Sequence, residues 1–464
     1  VVADPIFEYD FYLNATSLCR NAGSQTAAAA GLDGWTTAAD GTPDGGQLDL
    51  GYHHTGGKNP AYADLYISAG SSDSNSGTNW AQAVGSITRA LSVAKPGSRL
   101  HVASGLYTNN PESYPLVIDI PGLVLAGTNP ADTVLAAPGS PTDARVLTIT
   151  DASFVRVTGV SLTRGYDAAS VVGTLANYGY GGGIAVDNAV DLRLSFCHIT
   201  NNIAHGGGNQ WSLGGGFYSA NSTVWLMDCL LAGNTSRVTQ SSATGSSKGG
   251  GVYVASGQLV MDRCVVDTNY SFGVNNQGSF GGGLHLQAGG PHLIRNTLIS
   301  RNRNRNNIAT TDQGDGAYVS AAAEFQNCTL VNSSGTGIYA TVSGVLSNCI
   351  LWGNGDDIYD TSGTYKFYYT DTENGDNVGA DGCVSTNPLF VDTLYFHLQS
   401  THGVYTGGWF SGGAWDVSLS NSPLIDACAP GIIPTDEPHP NGALVNMGAY
   451  GNTLTASKSP PLTV

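Results

Sequence analysis

Two short groups of acidic residues have the side chains most able to do chemistry. Asp312 and Asp315 follow an arginine-rich run that contains Arg303, and a second pair of carboxylates lies at Asp356 and Asp357. Two or three converging aspartates could serve a hydrolase as acid and base, and an arginine beside carboxylates could be the base of a lyase. Aspartate is also a common turn residue, so the alternative is that each group only forms a corner of the chain.

A second set of side chains could contact a sugar chain. Aromatic rings can stack on a sugar, and the polar groups of Asn, Gln and Arg can hydrogen-bond it. The candidates lie in or beside segments that interrupt a repeated pattern: His205, Trp211, Tyr270, Phe272, Arg301 and Arg305, with Arg237 beside them. The alternative is that these side chains only pack the segments against each other.

One turn has the spacing of a calcium loop. Asp73, Asn75 and Gly77 follow an Asp-x-Asn-x-Gly pattern, which makes Asp73 and Asn75 candidate ligands. The distal acidic ligand of an EF-hand is missing, and this favours a plain turn. The sequence predicts no other cofactor, because its eight cysteines never form CxxC pairs and no HExxH or Ser/His/Asp pattern occurs.

Composition and charge exclude several classes of protein. Of the 464 residues only 18 are Lys or Arg, and the formal net charge of −17 argues against binding to nucleic acid or to anionic membranes. No apolar run approaches the roughly 18 residues of a membrane-spanning helix. Abundant Gly, Asn, Ser and Thr with few lysines suit a secreted or cell-surface protein. The chain begins Val1-Val2-Ala3, so we expect a mature product or an excised piece.

Internal repeats predict the fold. Six segments align, and each has a Gly-rich turn, short alternating strands, a Cys or Asn, and usually a final Asn. They are "YGGGIAVDNAVDLRLSFCHITNN" (180–202), "LGGGFYSANSTVWLMDCLLAGN" (213–234), "KGGGVYVASGQLVMDRCVVDTN" (248–269), "FGGGLHLQAGGPHLIRNTLISRN" (280–302), "QGDGAYVSAAAEFQNCTLVNS" (313–333) and "GTGIYATVSGVLSNCILWGN" (335–354). Three short strands per repeat without helical periodicity are typical of a parallel β-helix.

Stacking of these coils aligns equivalent residues into ladders. We expect one buried ladder of reduced cysteines, with Asn296 substituting in the fourth coil: Cys197, Cys229, Cys264, Cys328 and Cys349. The asparagines that end the coils are interpreted as turn residues with left-handed backbone that bond along the stack: Asn202, Asn234, Asn269, Asn302 and Asn354. Neither ladder needs a redox or metal role.

Four insertions separate the coils at equivalent corners. They are 203–212, 235–247, 270–279 and 303–312, and we expect them to form one rough surface on one side of the stack. An amphipathic helix near Ser86–Ala94 is predicted to cover the first coil.

Three phrases resemble a known group of proteins. "YISAGSSDSNSGT" and "SITRALSVAKPGSRLHVASGLYT" resemble the opening of secreted bacterial right-handed parallel β-helix proteins of the pectate-lyase-like superfamily, and "NPLFVD" to "MGAYGNT" is similar to their end. The coils also resemble repeats of polymorphic outer membrane proteins. The resemblance implies an all-β, right-handed parallel β-helix with a short N-terminal capping helix. It does not select a function, because the group mixes polysaccharide lyases with proteins of no known activity.

The ending of the chain occurs twice. Residues 4–23 parallel 387–400 together with 421–430, and residues 48–54 parallel 445–451. We therefore expect a tail of a preceding β-helix (1–56), a cap and first coil (57–110), coils (111–370) and a closing part (371–464). With few apolar residues, the tail is predicted to pack on a solenoid end, in its own chain or a neighbouring copy. Those apolar residues are Phe7, Phe11, Tyr12, Leu13, Leu48 and Leu50.

Two functions remain open at this point. The first is a non-catalytic extracellular module for adhesion, glycan contact or assembly, with polysaccharide or copies of itself, head to tail, as partners. The second is a polysaccharide lyase or glycoside hydrolase that acts in a groove lined by the insertions. Low charge and the doubled ending favour the first.

Overall fold

The computed structural model shows a long stack of short strands with very little helix. It describes residues 13, 17, 19–30, 32, 36–38, 42, 44–50, 64–168, 178–206, 210–239, 245–273, 278–306, 312–442 and 444–460. The helices are Ala27–Ala30, the 3-10 turn Trp80–Gln82 and Ile87–Val93. The described residues between 100 and 370 contain no helix, which agrees with the sequence prediction.

Three long parallel sheets form the wall of the stack. Sheet A comprises Asp64–Ile67, Arg99–Val102, Val124–Gly127, Arg156–Thr158, Leu192–Ser195, Ser222–Met227, Gly257–Asp262, His292–Arg295, Ala323–Gln326, Gly344–Ser347 and Lys366–Tyr368. Sheet B comprises Gly105–Thr108, Thr133–Ala136, Ser161–Thr163, His198–Thr200, Leu230–Ala232, Val265–Asp267, Leu298–Ser300, Thr329–Val331, Ile350–Trp352 and Asp371–Thr372. Sheet C comprises Leu116–Ile118, Leu147–Thr150, Ile184–Asp187, Phe217–Ala220, Val252–Val254, Leu284–Leu286, Ala317–Val319, Thr336–Ala340 and Asp356–Asp360.

The repeating coil passes through sheets C, A and B in that order. This arrangement is the right-handed parallel β-helix that the sequence predicts, and each repeat contributes one strand to each sheet. Alternate side chains point inward, so Leu194 lies against Leu226 of the next coil and both are fully buried. The apolar interior is continuous from Leu65 to Tyr365. Each buried side chain of this size contributes about 1.5–3 kcal/mol, so stability is spread along the stack.

The cysteine ladder forms as predicted except in the fourth coil. All five of its thiols are buried and none is in a disulfide. The residue in the fourth coil is Thr297 and not Asn296, because the Cys264 N–H donates to Thr297 Oγ1 at 3.4 Å. The prediction was wrong by one position, because the sequence alone does not determine which residue of a tight turn points into the stack. Asn296 points outward, where its Nδ2 donates to the Gly451 carbonyl at 2.7 Å.

The asparagine ladder bonds along the stack, but its backbone is not left-handed. Asn234 Nδ2 donates to Asn269 Oδ1 at 3.0 Å, and Asn269 Nδ2 donates to Asn302 Oδ1 at 3.0 Å. The left-handed residue is the one just before each ladder position, such as Thr268 with φ of 53° and Arg301 with φ of 53°. The ladder asparagines are selected for their amides, because each amide bonds the coils on either side.

The described parts of the four insertions contain strands, which form two further sheets together with strands from 166–180. Sheet D contains Tyr166–Ala168, Ile203–Gly206, Thr235–Val238, Tyr270–Gly273 and Arg303–Asn306. Sheet E contains Tyr178–Tyr180, Trp211–Leu213, Ser247–Lys248, Ser279–Phe280 and Asp312–Gln313. We call these two sheets the fin. Insertion strands stack because they repeat the spacing of the coils that carry them.

A row of serines joins the two sheets of the fin. Ser236 Oγ donates to Ser212 Oγ at 2.8 Å, and Ser247 and Ser271 share a hydrogen bond of 2.8 Å between their hydroxyls. All four side chains, and that of Ser279, are fully buried. The interior of the fin is therefore small and polar, in contrast to the apolar interior of the coils.

The predicted helix caps the first coil. It spans Ile87–Val93, and Ser86 accepts a hydrogen bond from the Arg89 N–H at its start. Glu112 accepts from the N–H groups of Ile87 and Thr88 at 2.7 and 2.9 Å, which satisfies the free donors of that end. This confirms the N-terminal capping helix.

The last part of the chain, residues 371–460, folds back over the outer face of sheet B, and we call it the closing segment. It contains the antiparallel pair Val404–Tyr405 and Trp415–Asp416. Its apolar residues pack on Ile350 and Trp352 of sheet B. At the other end of the chain, Phe7, Phe11 and Tyr12 of the predicted docking tail lie outside the described residues.

Candidate functional site

The predicted catalytic residues do not converge on a site. Asp315 is buried, and its carboxylate accepts hydrogen bonds from Ser334 Oγ at 2.5 Å and the Gly335 N–H at 2.6 Å. Arg303 is exposed on the last strand of sheet D. The side chain of Asp312 lies outside the described residues. Asp315 therefore joins two coils, and a catalytic role for this group remains a prediction.

The second acidic pair also has structural partners. Asp357 accepts from Asn354 Nδ2 at 3.1 Å and from the Asn374 N–H at 3.0 Å, and Asp356 accepts from Asn374 Nδ2 at 3.1 Å. Burial raises the pKa of Asp357 to about 6. The pair thus closes the last coil of sheet C.

Five of the six predicted sugar-binding residues lie on the two sheets of the fin, and the sixth, Arg301, follows a strand of sheet B. His205, Tyr270, Phe272 and Arg305 are on sheet D, whereas Trp211 is on sheet E. His205 is engaged by neighbours, since Nδ1 lies 2.9 Å from the Tyr166 hydroxyl and Nε2 lies 2.8 Å from Thr239 Oγ1. Burial and then the nearby Arg237 charge lower its pKa.

Trp211 packs within its own sheet. Lys248 Nζ lies 4.5 Å from its ring centroid, and the ring of Tyr178 lies 5.6 Å away. The geometry on both faces of the fin agrees with the packing alternative. Sugar contact by these residues stays a prediction.

The proposed calcium turn has intramolecular partners. Asp73 Oδ1 accepts from the Gly85 and Ser86 N–H groups, each at 2.8 Å, and Oδ2 accepts from Ser86 Oγ at 2.7 Å. Asn75 Nδ2 donates to the Ala83 carbonyl at 2.8 Å. These bonds connect the turn to the start of the capping helix. Across the described part of the chain, no group of three or more His, Cys, Asp or Glu side chains could hold a metal ion.

An open cleft lies between sheet B and the closing segment. Its floor is one row of outward side chains from four successive coils, His198, Leu230, Val265 and Leu298. Two cavities of about 270 and 450 Å³ occupy the cleft, and Trp409 of the closing segment lines both. The cleft is long enough to contact several units of a chain-like ligand, because it runs along stacked coils.

Trp409 has an indole N–H that finds no hydrogen-bond partner among the described residues. Its ring stacks on Tyr450 with centroids 5.0 Å apart, and Tyr450 is fixed by a hydrogen bond of 2.8 Å from its hydroxyl to the Tyr395 carbonyl. The N–H itself is buried, so the surface that Trp409 offers to a ligand is its partly exposed ring.

His198, on the floor of the cleft, also has a buried nitrogen without a hydrogen-bond partner among the described residues. Its Nε2 is buried without a partner in the described structure, and Phe410 meets its ring edge to face at 5.3 Å. Burial lowers the pKa of His198, so the imidazole is neutral at pH 7. A neutral imidazole can donate one hydrogen bond and accept one, as a sugar hydroxyl requires.

Two ion pairs flank the floor. Arg301 binds Asp267 through two hydrogen bonds of 2.8 and 2.9 Å, and Arg263 binds Asp228 with the same two distances. The hydrogen bonds that Arg263 donates to Asp228 are the largest cause that raises the pKa of Arg263. The larger cavity also has Asp436 of the closing segment in its wall. Each of the two arginines in the cleft is therefore neutralised by an aspartate, and Asp436 adds one further carboxylate.

Of the predicted site residues, only Arg301 lines the cleft. The sequence reasoning missed Trp409, Phe410 and His198. A signal was present in "YTGGWFSGG" (405–413), where two adjacent aromatic residues stand between glycines in a closing part with no repeat to bury them. No sequence signal marked His198, because it occupies an ordinary outward position on a strand.

Comparison with known proteins gives likeness of fold only. No protein-family model matches the chain, and no curated protein matches its sequence. Among solved structures, pectate lyase Pel9A is 13% identical with a TM-score of 0.45, covering 84% of this chain and 97% of its own. A pectin methylesterase in complex with a hexasaccharide is 12% identical with a TM-score of 0.37, covering 70% and 94%.

A third structure is a lacto-N-biosidase from Eubacterium ramulus, 12% identical with a TM-score of 0.34 and 66% of each chain covered. The fold of this chain is a right-handed parallel β-helix, as its own parallel sheets establish. No helix among the described residues is long and apolar enough to cross a membrane.

Proposed function

We propose that this chain is a polysaccharide-binding β-helix whose cleft between sheet B and the closing segment holds a sugar chain. The observation that supports it is Trp409, a partly exposed aromatic ring that lines two open cavities. The apolar face of a sugar ring can stack on an indole. Neutral His198 lies on the floor of the smaller cavity.

The charges favour a neutral sugar chain. Asp267 and Asp228 neutralise the two arginines, and Asp436 leaves the larger cavity with an excess of negative charge. The whole chain has a formal net charge of −17, which repels polyanions at long range. We therefore propose a neutral glycan and an extracellular or cell-surface setting in which binding serves adhesion.

Replacing Trp409 tests this function. Trp409→Ala is expected to weaken binding to a neutral polysaccharide by about tenfold or more, which corresponds to ~1.4 kcal/mol. Calorimetric titration against xylan, mannan and β-glucan measures it, with polygalacturonate and alginate as polyanionic comparisons. Trp80→Ala, an exposed tryptophan near the capping helix, is the matched control and should bind like the parent. Equal affinity of the Trp409→Ala and parent chains would refute the cleft as the site.

A second candidate function is hydrolysis of the bound sugar chain. Asp228 from the turn between sheets A and B and Asp436 from the closing segment line the same cavity, and a pair of carboxylates is what a glycoside hydrolase needs. A lyase that uses Arg263 as base is less favourable, because Asp228 raises the pKa of Arg263 and keeps it protonated.

A screen of polysaccharides separates the two functions. New reducing ends that disappear in both Asp228→Asn and Asp436→Asn would support hydrolysis, and new ultraviolet absorbance would indicate a lyase instead. Binding without either product leaves the non-catalytic function. Retained turnover in Asp436→Asn would exclude the proposed pair.

A further inference from the structure

The closing segment covers sheet B through a specific set of backbone contacts. The Gly448 N–H donates to the Asn348 carbonyl at 2.9 Å, and the Ala449 N–H donates to Thr329 Oγ1 at 2.9 Å. Met447 is 3% exposed, and it belongs to the apolar cluster that contains Ile350 of sheet B. Through these contacts the closing segment covers the outer face of sheet B.

The described residues between 13 and 50 repeat several internal hydrogen bonds of the closing segment. We call these residues the leading segment. The Leu50 N–H donates to the Cys19 carbonyl at 2.8 Å, as the Met447 N–H donates to the Leu424 carbonyl at 3.0 Å. Asn21 has a left-handed φ of 53° and its equivalent, Asp426, has 55°.

Four more hydrogen bonds have direct equivalents. The Asn21 N–H donates to Asp49 Oδ1 in the leading segment, as the Asp426 N–H donates to Asn446 Oδ1 in the closing segment, and the Gly23 N–H donates to the Leu48 carbonyl, as the Cys428 N–H donates to the Val445 carbonyl. The Asp49 N–H donates to Asp44 Oδ2, as the Asn446 N–H donates to Glu437 Oε1. The Cys19 N–H donates to Ser17 Oγ, as the Leu424 N–H donates to Ser422 Oγ. Agreement at bonds between distant positions is evidence that the two segments share one fold.

The two segments differ in what covers them. Leu50 is 49% exposed, whereas its equivalent Met447 is 3% exposed. The side chain at the position that the closing segment buries on sheet B is thus open in the leading segment.

We propose that the leading segment is a second closing module, and that its partner is the outer face of sheet B in a second copy of this chain. In each copy that face is occupied by its own closing segment. The closing segment belongs to the same chain as the sheet B that it covers, so its effective concentration is high. It therefore excludes the leading segment of a neighbouring copy until the closing segment is released. Release then joins copies head to tail. This inference does not depend on the glycan site.

Weakening the closing segment in the full-length chain tests the proposal. Met447→Asp places a charge in the buried contact and should release sheet B, so the variant should associate as its concentration rises in light scattering. The double variant Met447→Asp with Leu50→Asp should remain monomeric. Met447→Asp with Val190→Asp, which alters an exposed apolar side chain between sheets C and A, away from both the leading segment and sheet B, should still associate.

Circular dichroism must first show that the variants retain their strands. If Met447→Asp unfolds, Asn348→Gly is used, because glycine keeps the left-handed backbone at φ of 55° and removes only the acceptor for the Ala429 N–H. A folded variant that stays monomeric overturns the proposal. Association that persists unchanged with Leu50→Asp also overturns it, since the leading segment would then not be the contact.

Discussion

At the scale of the residue, the asparagine ladder shows how one amide connects three coils. Asn269 Oδ1 accepts from both the N–H and Nδ2 of Asn234, each at 3.0 Å, and its own Nδ2 donates to the Leu231 carbonyl at 2.8 Å. All of these groups are excluded from water. A buried polar group costs little only when it is fully bonded, so the ladder depends on each member.

We predict that Asn269→Ala destabilises the protein by about 2–4 kcal/mol, because it leaves two donors of Asn234 and one carbonyl unsatisfied. Urea unfolding followed by circular dichroism measures the change. Lys366→Ala, at an exposed strand position, is the control and should differ from the parent by less than ~0.5 kcal/mol. A similar small effect for Asn269→Ala would show that water replaces the amide.

Buried carboxyl groups in the closing segment should make stability depend on pH. Burial is the largest cause that raises the pKa of Asp371 to about 7 and that of Glu437 to about 7. Asp371 is fully buried, and its Oδ2 has no partner in the described structure. A raised folded pKa means that the folded state favours the protonated acid. The stability from these groups is complete below about pH 4 and is lost as pH rises through about 7.

We predict that Asp371→Asn raises Tm at pH 8 by about 2 °C or more relative to the parent, and changes it little at pH 4. The amide cannot ionise, so the variant avoids the cost of a buried charge. Scanning calorimetry at both pH values measures the difference. A gain in Tm from Asp371→Asn that is equal at both pH values would contradict the pH argument, because the titration would then play no part.

At the scale of the element, the fin ends before the stack does. Sheets D and E each contain five strands, whereas sheet A contains eleven, so among the described strands Arg303–Asn306 is an edge strand of sheet D. Arg303 and Arg305 are exposed on that edge. Charged side chains on an edge strand prevent pairing with another chain, and this role explains the arginine-rich run without catalysis.

We predict that Arg303→Thr with Arg305→Thr promotes aggregation, because threonine favours strands and removes the two charges. Turbidity during slow heating and light scattering at rising concentration measure it. Arg89→Thr, in the exposed face of the capping helix, changes charge away from any edge and should leave scattering unchanged. Unaltered scattering of the edge variant would make these arginines candidate ligand contacts again.

At the scale of the whole molecule, the thiols report on the integrity of the stack. Seven of the eight cysteines are buried, and only Cys19 is partly exposed. Burial raises the pKa values of Cys229, Cys264 and Cys328 well above the ordinary value, so little thiolate forms.

We predict that thiol titration of the native protein finds at most one fast group, and that Cys19→Ser removes it. The other seven should react only when denaturant opens the protein, because each is buried in the folded chain. Fast reaction of ladder cysteines without denaturant would mean that the coils open locally and that the register described above is wrong.

Much of the fold could be predicted from the sequence, because residues that recur at the same spacing take equivalent positions in every coil. The spacing of the Gly-rich turns, the cysteines and the asparagines determined three strands per coil, the two ladders and the buried face of each strand. The capping helix at Ile87–Val93 was equally local, since it depends on its own periodicity and on Ser86. The error at Asn296 was one of register, which neighbouring coils decide.

Only the tertiary structure decided the candidate site. His198 lies on a repeated strand and Trp409 in a segment without repeats, and no sequence spacing relates them. They line one cleft because the closing segment crosses sheet B, where Asn296, Thr329 and Asn348 bind its backbone. Side-chain periodicity encodes which face of a strand is buried, whereas the position of a non-repeating segment depends on the sum of many weak contacts with a distant surface.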